Sequence, residues 1–325
     1  MIVLLAKAPS RFTVDRYLAS FGWRELLRIQ PMSYERFLTK RRFRRGVYLF
    51  TDVDRLSEDE RAWAVEVWDD LQHRGGSWLL NHPERSLRRF ELLTTLHAHG
   101  INTFRPYRAN EPLDQVRFPV FLRIEHDHKG NRSDLLHTRE QLATALADLR
   151  ARGERLRDWL VVEFCATRAA DGLYRKYAAF RIGSRIIPRH VFAGAHWCLK
   201  QSQQVEPPLQ SEEWGYLHAN PHREALMRIF ELARIEYGRI DYGVFDGRIQ
   251  VWEINTNPTL PWQGNREETA RLDAHRWFVD QLSQAWRALE QEAPARAVYP
   301  VEWVRNLKWV GRQAVKTLPA LHFLA

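Results

Sequence analysis

The stretch Tyr237–Leu260, YGRIDYGVFDGRIQVWEINTNPTL, decides how the chain folds. Two β-rich runs, Gly238–Phe245 and Ile249–Asn255, flank Asp246-Gly247, a strong short-range hairpin signal. Side chains along a strand alternate faces. Arg239 and Asp241 therefore share one face of the first run, and Glu253 and Asn255 share one face of the second. Register decides whether the two pairs meet. A two-residue Asp-Gly turn sets Asp241 opposite Trp252 and sends Glu253 to the other side. An odd-length loop that takes in Arg248 sets Asp241 opposite Glu253 and Arg239 opposite Asn255. The odd loop is expected here, because two facing carboxylates repel unless a cation lies between them. Asp, Glu and Asn offer only hard oxygen ligands, which suits Mg²⁺ holding nucleotide phosphates. The plainer reading is an edge hairpin with a solvated polar face.

Arg-x-Asp, then Glu-x-Asn, then a strand broken at Pro258 resembles the ATP-grasp superfamily, in particular its carboxylate–amine ligases. The resemblance implies that Asp241, Glu253 and Asn255 bind Mg²⁺, with Mn²⁺ as a substitute, and that Arg239 stabilises the reaction intermediate. It covers most of Arg85–Pro261. Within it, Arg89, on a helix that ends at Gly100, takes the place of a phosphate-contacting Lys. Arg123, ending the run Phe118–Arg123, takes the place of a second one. Arg keeps the charge and adds a fork that suits phosphate oxygens. The segment Glu125–Asp134 occupies the place of a Gly- and Ser-rich flap over the phosphates, but here only Gly130 is glycine; Lys129 and Arg132 are the cations available to hold the phosphates instead. The run Trp159–Phe164 matches the hinge that holds adenine, with Glu163 as the hinge acid and Val162 and Phe164 beside the base. Lys176 and Lys200 complete the expected nucleotide contacts. Each of these residues, taken alone, also reads as an ordinary surface or core side chain.

The remainder fits an α/β chain of α+β lobes, the three-lobe ATP-grasp architecture with an N-terminal parallel-sheet lobe. Residues 1–115 alternate strands (Ile2–Ala6, Gly46–Thr51, Ser77–Leu80) with helices, one opened by the capping box Ser57-x-x-Glu60 and another running from about Pro83 to His99. Ligands in such sheets lie beyond the carboxyl ends of the strands, which places Asp52, Asp54 and Asn81-His82 near a substrate site. A central lobe spans 116–203, with a hairpin over Arg175–Val191. Residues 204–293 carry the Tyr237–Leu260 hairpin, and Gln201–Asn220, with Pro207-Pro208, reads as a linker or substrate loop. Residues 294–325 form a basic amphipathic tail.

At 325 residues and a net charge of +9, the chain favours anionic partners such as a nucleotide or an acidic metabolite. The basic run Lys40–Arg45 lacks any accompanying nucleic-acid signature, so nucleic acid is not favoured. His126 and His128 lack the further ligands a metal site needs. Cys165 and Cys198, the two cysteines, have no metal-type spacing and point to a reducing cytoplasm. The tail packs on its own protein or on a second copy in a homodimer; peripheral membrane contact is the narrower alternative. The resemblance implies an ATP-dependent ligase that joins a carboxylate to an amine through an acyl phosphate. A kinase acting on a hydroxyl of an anionic small molecule, and a non-catalytic nucleic-acid or membrane-binding protein, are the alternatives.

Overall fold

The computed structural model describes residues 1–22, 27–40, 42–127, 130–165, 168–199, 207–263, 271–291 and 298–300. The first sheet is fully parallel. It contains β1 (Ile2–Ala6), β2 (Ile29–Ser33), β4 (Val47–Phe50) and β5 (Trp78–Leu80), in the order β2-β1-β4-β5, while β3 (Arg42–Arg44) pairs instead with Val298–Pro300. β2 contains Pro31 and escaped the sequence reading; a proline without an N–H is tolerated because β2 is an edge strand. Between these strands run α1 (Phe12–Tyr17), α2 (Tyr34–Phe37) and α3 (Glu58–Arg74). The expected capping box opens α3: Ser57 Oγ accepts from Glu60 N–H at 3.3 Å, and Glu60 Oε2 accepts from Ser57 N–H at 2.9 Å.

The helix expected from Pro83 starts later, as α4 (Arg89–Ala98). The residues before it are pinned elsewhere. Ser86 N–H bonds back to His82 O at 3.1 Å, but Leu87 N–H turns out to Ala233 O at 2.9 Å and Ser86 Oγ–H to Arg234 O at 2.9 Å, so the helical ladder is interrupted before Arg89.

A second, three-stranded antiparallel sheet contains β6 (Pro106–Arg108), β7 (Val120–Ile124) and β8 (Trp159–Glu163), with β8 in the middle. One face packs on α5 (Arg139–Ala151) through Leu142, Leu146 and Leu149. The other face, Phe121, Leu160 and Val162, packs on Leu93 of α4 and Phe104. β6 lies before residue 116, so this sheet draws on both sides of the expected 115/116 division.

The third sheet is antiparallel: β9 (Tyr174–Ile182), β10 (Arg185–Gly194), β11 (Tyr237–Phe245) and β12 (Arg248–Asn255), in the order β10-β9-β11-β12. The expected 175–191 hairpin is therefore continuous with the Tyr237–Leu260 hairpin, and a lobe boundary at 203 would cut this sheet in two. Between its halves lie α6 (Pro207–Ala219) and α7 (Arg223–Leu232). α6 corrects the reading of Gln201–Asn220 as a loop. Pro207-Pro208 starts a helix there, where missing N–H groups cost nothing, while 201–206 lie outside the described residues. Finally α8 (Leu272–Gln291) lays Phe278, Leu282 and Trp286 into one cluster with Ile2 and Leu49 of the parallel sheet and Phe180 of β9, which locks the first and third sheets together.

Candidate active site

The β11–β12 ladder pairs Arg239 with Asn255 and Asp241 with Glu253, so the four polar side chains do share one face. The loop that achieves it is not the odd one. Phe245 pairs with Arg248 across a two-residue turn whose residues, Asp246 (φ 49°) and Gly247 (φ 69°), are both left-handed, the type I′ geometry. The register then shifts between Asp241 and Tyr242, because Trp252 is an extra, bulged residue on β12. The turn obeys its local chemistry and the bulge restores the pairing.

Neither carboxylate stands alone. Asp241 is buried and accepts from Arg239 Nε–H at 2.8 Å; Lys176 Nζ of β9 lies 3.3 Å from its other oxygen. Glu253 Oε2 accepts from Arg123 Nη2–H at 3.0 Å and from Arg89 Nη2–H. Burial alone would lower the Arg239 pKa, but the Asp241 and Glu253 charges hold it above its ordinary value. Burial, reinforced by the adjacent Arg89, pushes Arg123 down to about 10, where it still carries its charge at neutral pH.

Arg89 differs from expectation. It sits at the first turn of α4, buried, and besides Glu253 its Nη1 donates to the carbonyls of Ile124 at 3.2 Å, Asp127 at 3.0 Å and Glu125. A guanidinium so engaged clips the β7 end to β12, and it does not face the cavity. Arg123 does.

That cavity, of about 330 Å³, opens between the second and third sheets. Arg123, Lys176, Arg239, Asp241 and Glu253 form its charged side. Its aromatic side is Phe121, Phe164, Tyr174, Trp197 and Trp252, with Phe121 and Trp197 centroids 5.1 Å apart and Phe164 and Trp197 5.6 Å apart in an edge contact. A slot with flat rings on one side and guanidiniums on the other suits a base carrying phosphates. Trp197, Phe121, Tyr174 and Trp252 escaped assignment. The side-chain alternation of β7 was available for Phe121; nothing local marked Trp197.

The hinge also needs correction. Phe164 lines the cavity, but Val162 is core, packed with Phe104 and Leu160. Glu163 borders the cavity, yet its carboxylate is taken up by Tyr107 OH at 3.1 Å, Arg105 N–H at 3.0 Å and the Arg117 side chain, whose Nη2–H donates at 2.6 Å. Burial would raise its pKa; the Arg117 and backbone donors bring it below 4.5. Glu163 thus fixes the strand end, and its side chain has no acceptor left for a base. Gly130 and Asn131 line the mouth, whereas Arg132 pairs with Asp127. Lys129 and Lys200 lie outside the described residues.

Asp52 and Asn81 join lobes, and neither is among the residues lining the cavity between the second and third sheets. Asp52 Oδ2 accepts from Lys7 N–H at 3.0 Å and Asn257 Nδ2–H at 2.9 Å. Asn81 Oδ1 accepts from Tyr237 N–H at 3.0 Å while its Nδ2–H donates to Tyr237 O at 2.7 Å. Among the described residues, no group of three or more His, Cys, Asp or Glu could hold a metal. The Asp241–Glu253–Asn255 set, with two carboxylates and an amide, still offers an all-oxygen donor set that fits Mg²⁺. Asn255 Oδ1 accepts one bond, from Asn257 N–H at 2.8 Å, and a carbonyl oxygen has a second lone pair to give.

No family model matches the chain, and no curated protein matches it. Solved structures do. The ATP-grasp ligase PsnB complexed with minimal precursor is 12% identical, covers 88% of this chain and 99% of its own, and superposes with a TM-score of 0.52. PsnB complexed with a phosphomimetic variant of minimal precursor, Mg and ADP is 14% identical, covers 89% and 97%, and gives 0.50. The D-alanine–D-alanine ligase from Bacillus anthracis complexed with ATP is 14% identical, covers 90% and 98%, and gives 0.49. Among the described residues no helix is long and apolar enough to cross a membrane. The sheet order, the bulged hairpin and the PsnB superpositions agree: the chain has the ATP-grasp fold.

Proposed function

We propose that the chain is an ATP-dependent carboxylate–amine ligase. The observation that carries this reading is the row in which Asp241 faces Glu253, with Arg239 one position along the same face, at the charged end of an aromatic-walled cavity. Phe121, Phe164 and Trp197 receive the adenine, and Arg123 and Lys176 meet the phosphates. Mg²⁺, or Mn²⁺ in its place, held by Asp241, Glu253 and Asn255, supplies charge neutralisation for the transferring phosphoryl group.

The carboxylate substrate attacks the γ-phosphorus, the bond to the bridging oxygen breaks, and ADP leaves with an acyl phosphate formed. An amine nitrogen then attacks the acyl carbon. Arg239, held rigid by Asp241, donates to the tetrahedral oxyanion, and phosphate departs as the amide forms. No side chain acts as nucleophile; positioning and fixed cations lower the barrier.

The test is a screen of carboxylate and amine mixtures with Mg-ATP, reading ADP and free phosphate separately. The ligase reading requires free phosphate that depends on both acceptors together. ADP with a phosphorylated product and no amine requirement would replace it with a kinase, and failure to bind Mg-ATP at all would remove both.

A further inference from the structure

The Asp241–Glu253 row does not end at β11. Asp241 pairs with Ala178 on β9, and Ala178 pairs with His190 on β10, so His190, Ala178, Asp241 and Glu253 lie side by side across the whole sheet. A second register shift, between Pro188 and His190, makes Arg189 the bulged residue of β10. Both edge strands therefore bulge one residue before this row, and each bulge turns one polar side chain, Glu253 or His190, onto the face that carries Asp241. Without its bulge β10 would present Arg189 there. Bulges are over-represented at sheet edges and next to active sites, where they re-aim a side chain.

His190 is 6% exposed, and its Nε2 has no hydrogen-bond partner. Its ring lies flat on Phe192, 3.8 Å between centroids and 4° between planes, so the direction of Nε2 is fixed. The same Phe192 ring has Lys176 Nζ 5.7 Å from its centroid and the Arg271 guanidinium 5.3 Å away, and Arg271 Nε–H donates to Glu213 Oε2 at 2.7 Å. Lys176, Arg189, Arg239 and Arg271 thus set four positive charges about the imidazole, with two carboxylates, Asp241 and Glu213, paired to Lys176, Arg239 and Arg271. Burial, and after it Arg271, Arg189, Lys176 and Arg239, keep the imidazole neutral by lowering its pKa well below 6.5. A histidine buried for packing alone gains nothing from cations around it. With its proton on Nε2, the neutral imidazole is a donor backed by cations, and an oxyanion matches it.

We propose that His190, with Arg271 and Lys176, forms a subsite for an anionic group of the acceptor substrate, a carboxylate or a phosphate, on the far side of Asp241 from Glu253. This rests on the ligase reading above, in which the space over Asp241 belongs to the transferring phosphoryl group. The subsite makes the enzyme selective for acceptors that carry a negative charge.

The experiment uses the full chain loaded with Mg-AMP-PNP, so that the triphosphate site is filled. Inorganic phosphate and acetate are titrated in, and the imidazole ¹⁵N signals of His190 are followed, identified by their loss in His190→Phe. Wild type is expected to show a saturable shift, larger with phosphate for a phosphorylated acceptor and with acetate for a carboxylate one. His190→Phe, which keeps the ring on Phe192, is expected to weaken anion affinity by about tenfold or more, the size of one hydrogen bond to a charged group. His190→Gln, which keeps an N–H donor, is expected to retain most of it. Mg-AMP-PNP affinity, measured on the same samples, stays unchanged in both variants. No saturable response, or equal affinity in His190→Phe, overturns the subsite, whereas loss of Mg-AMP-PNP binding by wild type overturns the ligase reading instead.

Discussion

Asp241 places one negative charge where almost no water reaches, and two cations converge on it, Arg239 at 2.8 Å and Lys176 at 3.3 Å. Removing the charge while keeping the shape separates chemistry from packing. Asp241→Asn is expected to lower ATP turnover by roughly 10–100-fold or more, since even partners outside a metal's first shell cost that much and here the carboxylate charge itself is lost. The same change leaves two half-buried cations less well compensated, so the urea midpoint falls as well. Full turnover in a folded Asp241→Asn protein would remove Asp241 from the reaction. Glu163 gives the second test at this scale, through pH. Burial opposes its ionisation, but Arg117 and two backbone N–H groups more than offset that, and its pKa lies below the ordinary 4.5. A carboxylate with a lowered folded-state pKa stabilises the protein above the unfolded value and loses that contribution as pH falls through the folded one. The stability difference between wild type and Glu163→Gln should therefore be constant at neutral pH and shrink once pH drops below 4.5. A difference that does not change between pH 7 and pH 3 would mean the Arg117 contact contributes nothing.

The β11–β12 hairpin shows what was legible in the sequence and what was not. Two signals were present, an Asp-Gly turn and a pair of carboxylates that wanted the same face, and for a regular ladder they conflict. The sequence reading resolved the conflict in the loop; the protein resolves it with the Trp252 bulge. Bulges leave no reliable local mark, since Trp252 reads as one more apolar strand residue beside Val251 and Ile254, and the His190 row depends on a second one. Charge pairing at long range was legible because like charges must be compensated whatever the path of the chain. The sequence places Arg89 on a helix but not against the Ile124–Asp127 carbonyls, because that burial depends on how β7 and α4 meet in three dimensions. The turn itself gives a prediction. A Cβ at Gly247 would meet nothing within 4 Å, so its φ of 69° is the only obstacle to a side chain. Gly247→Ala should cost about 1–2 kcal/mol by urea denaturation, the penalty of a left-handed L-residue. Nucleotide affinity should not change, since the turn is remote from Arg239 and Asn255. A stabilised Gly247→Ala protein would contradict the type I′ assignment.

Across the whole molecule the net charge of +9 is not spread evenly. At the row where the second and third sheets meet, Arg89 and Arg123 hold Glu253 while Arg239 and Lys176 hold Asp241, four cations on two carboxylates. A divalent ion arriving alone must displace guanidiniums from Glu253 and enter a region that is already positive, so its binding is opposed twice. A triphosphate reverses both terms. On the proposed reading it would bring enough negative charge to draw Arg123 and Lys176 off the carboxylates, leaving Arg89 and Arg239 in place and an oxygen face open to a metal. Metal and nucleotide affinity should therefore be strongly coupled, each raising the other by the same factor, as linkage demands. Thermal unfolding tests this without knowledge of the acceptors. Mg-ATP at about 100 times its dissociation constant should stabilise the chain by about 2.7 kcal/mol. Millimolar Mg²⁺ or Mn²⁺ without nucleotide should leave the midpoint unmoved, and ATP with a chelator should fall between. Arg123→Met should relax the asymmetry by removing one of the two guanidiniums on Glu253 and leaving Arg89 as the other, raising metal affinity in the absence of nucleotide while weakening ATP. If Mn²⁺ binds the nucleotide-free wild type stoichiometrically, the carboxylates are not held by their arginines in solution, and the coupling argument fails.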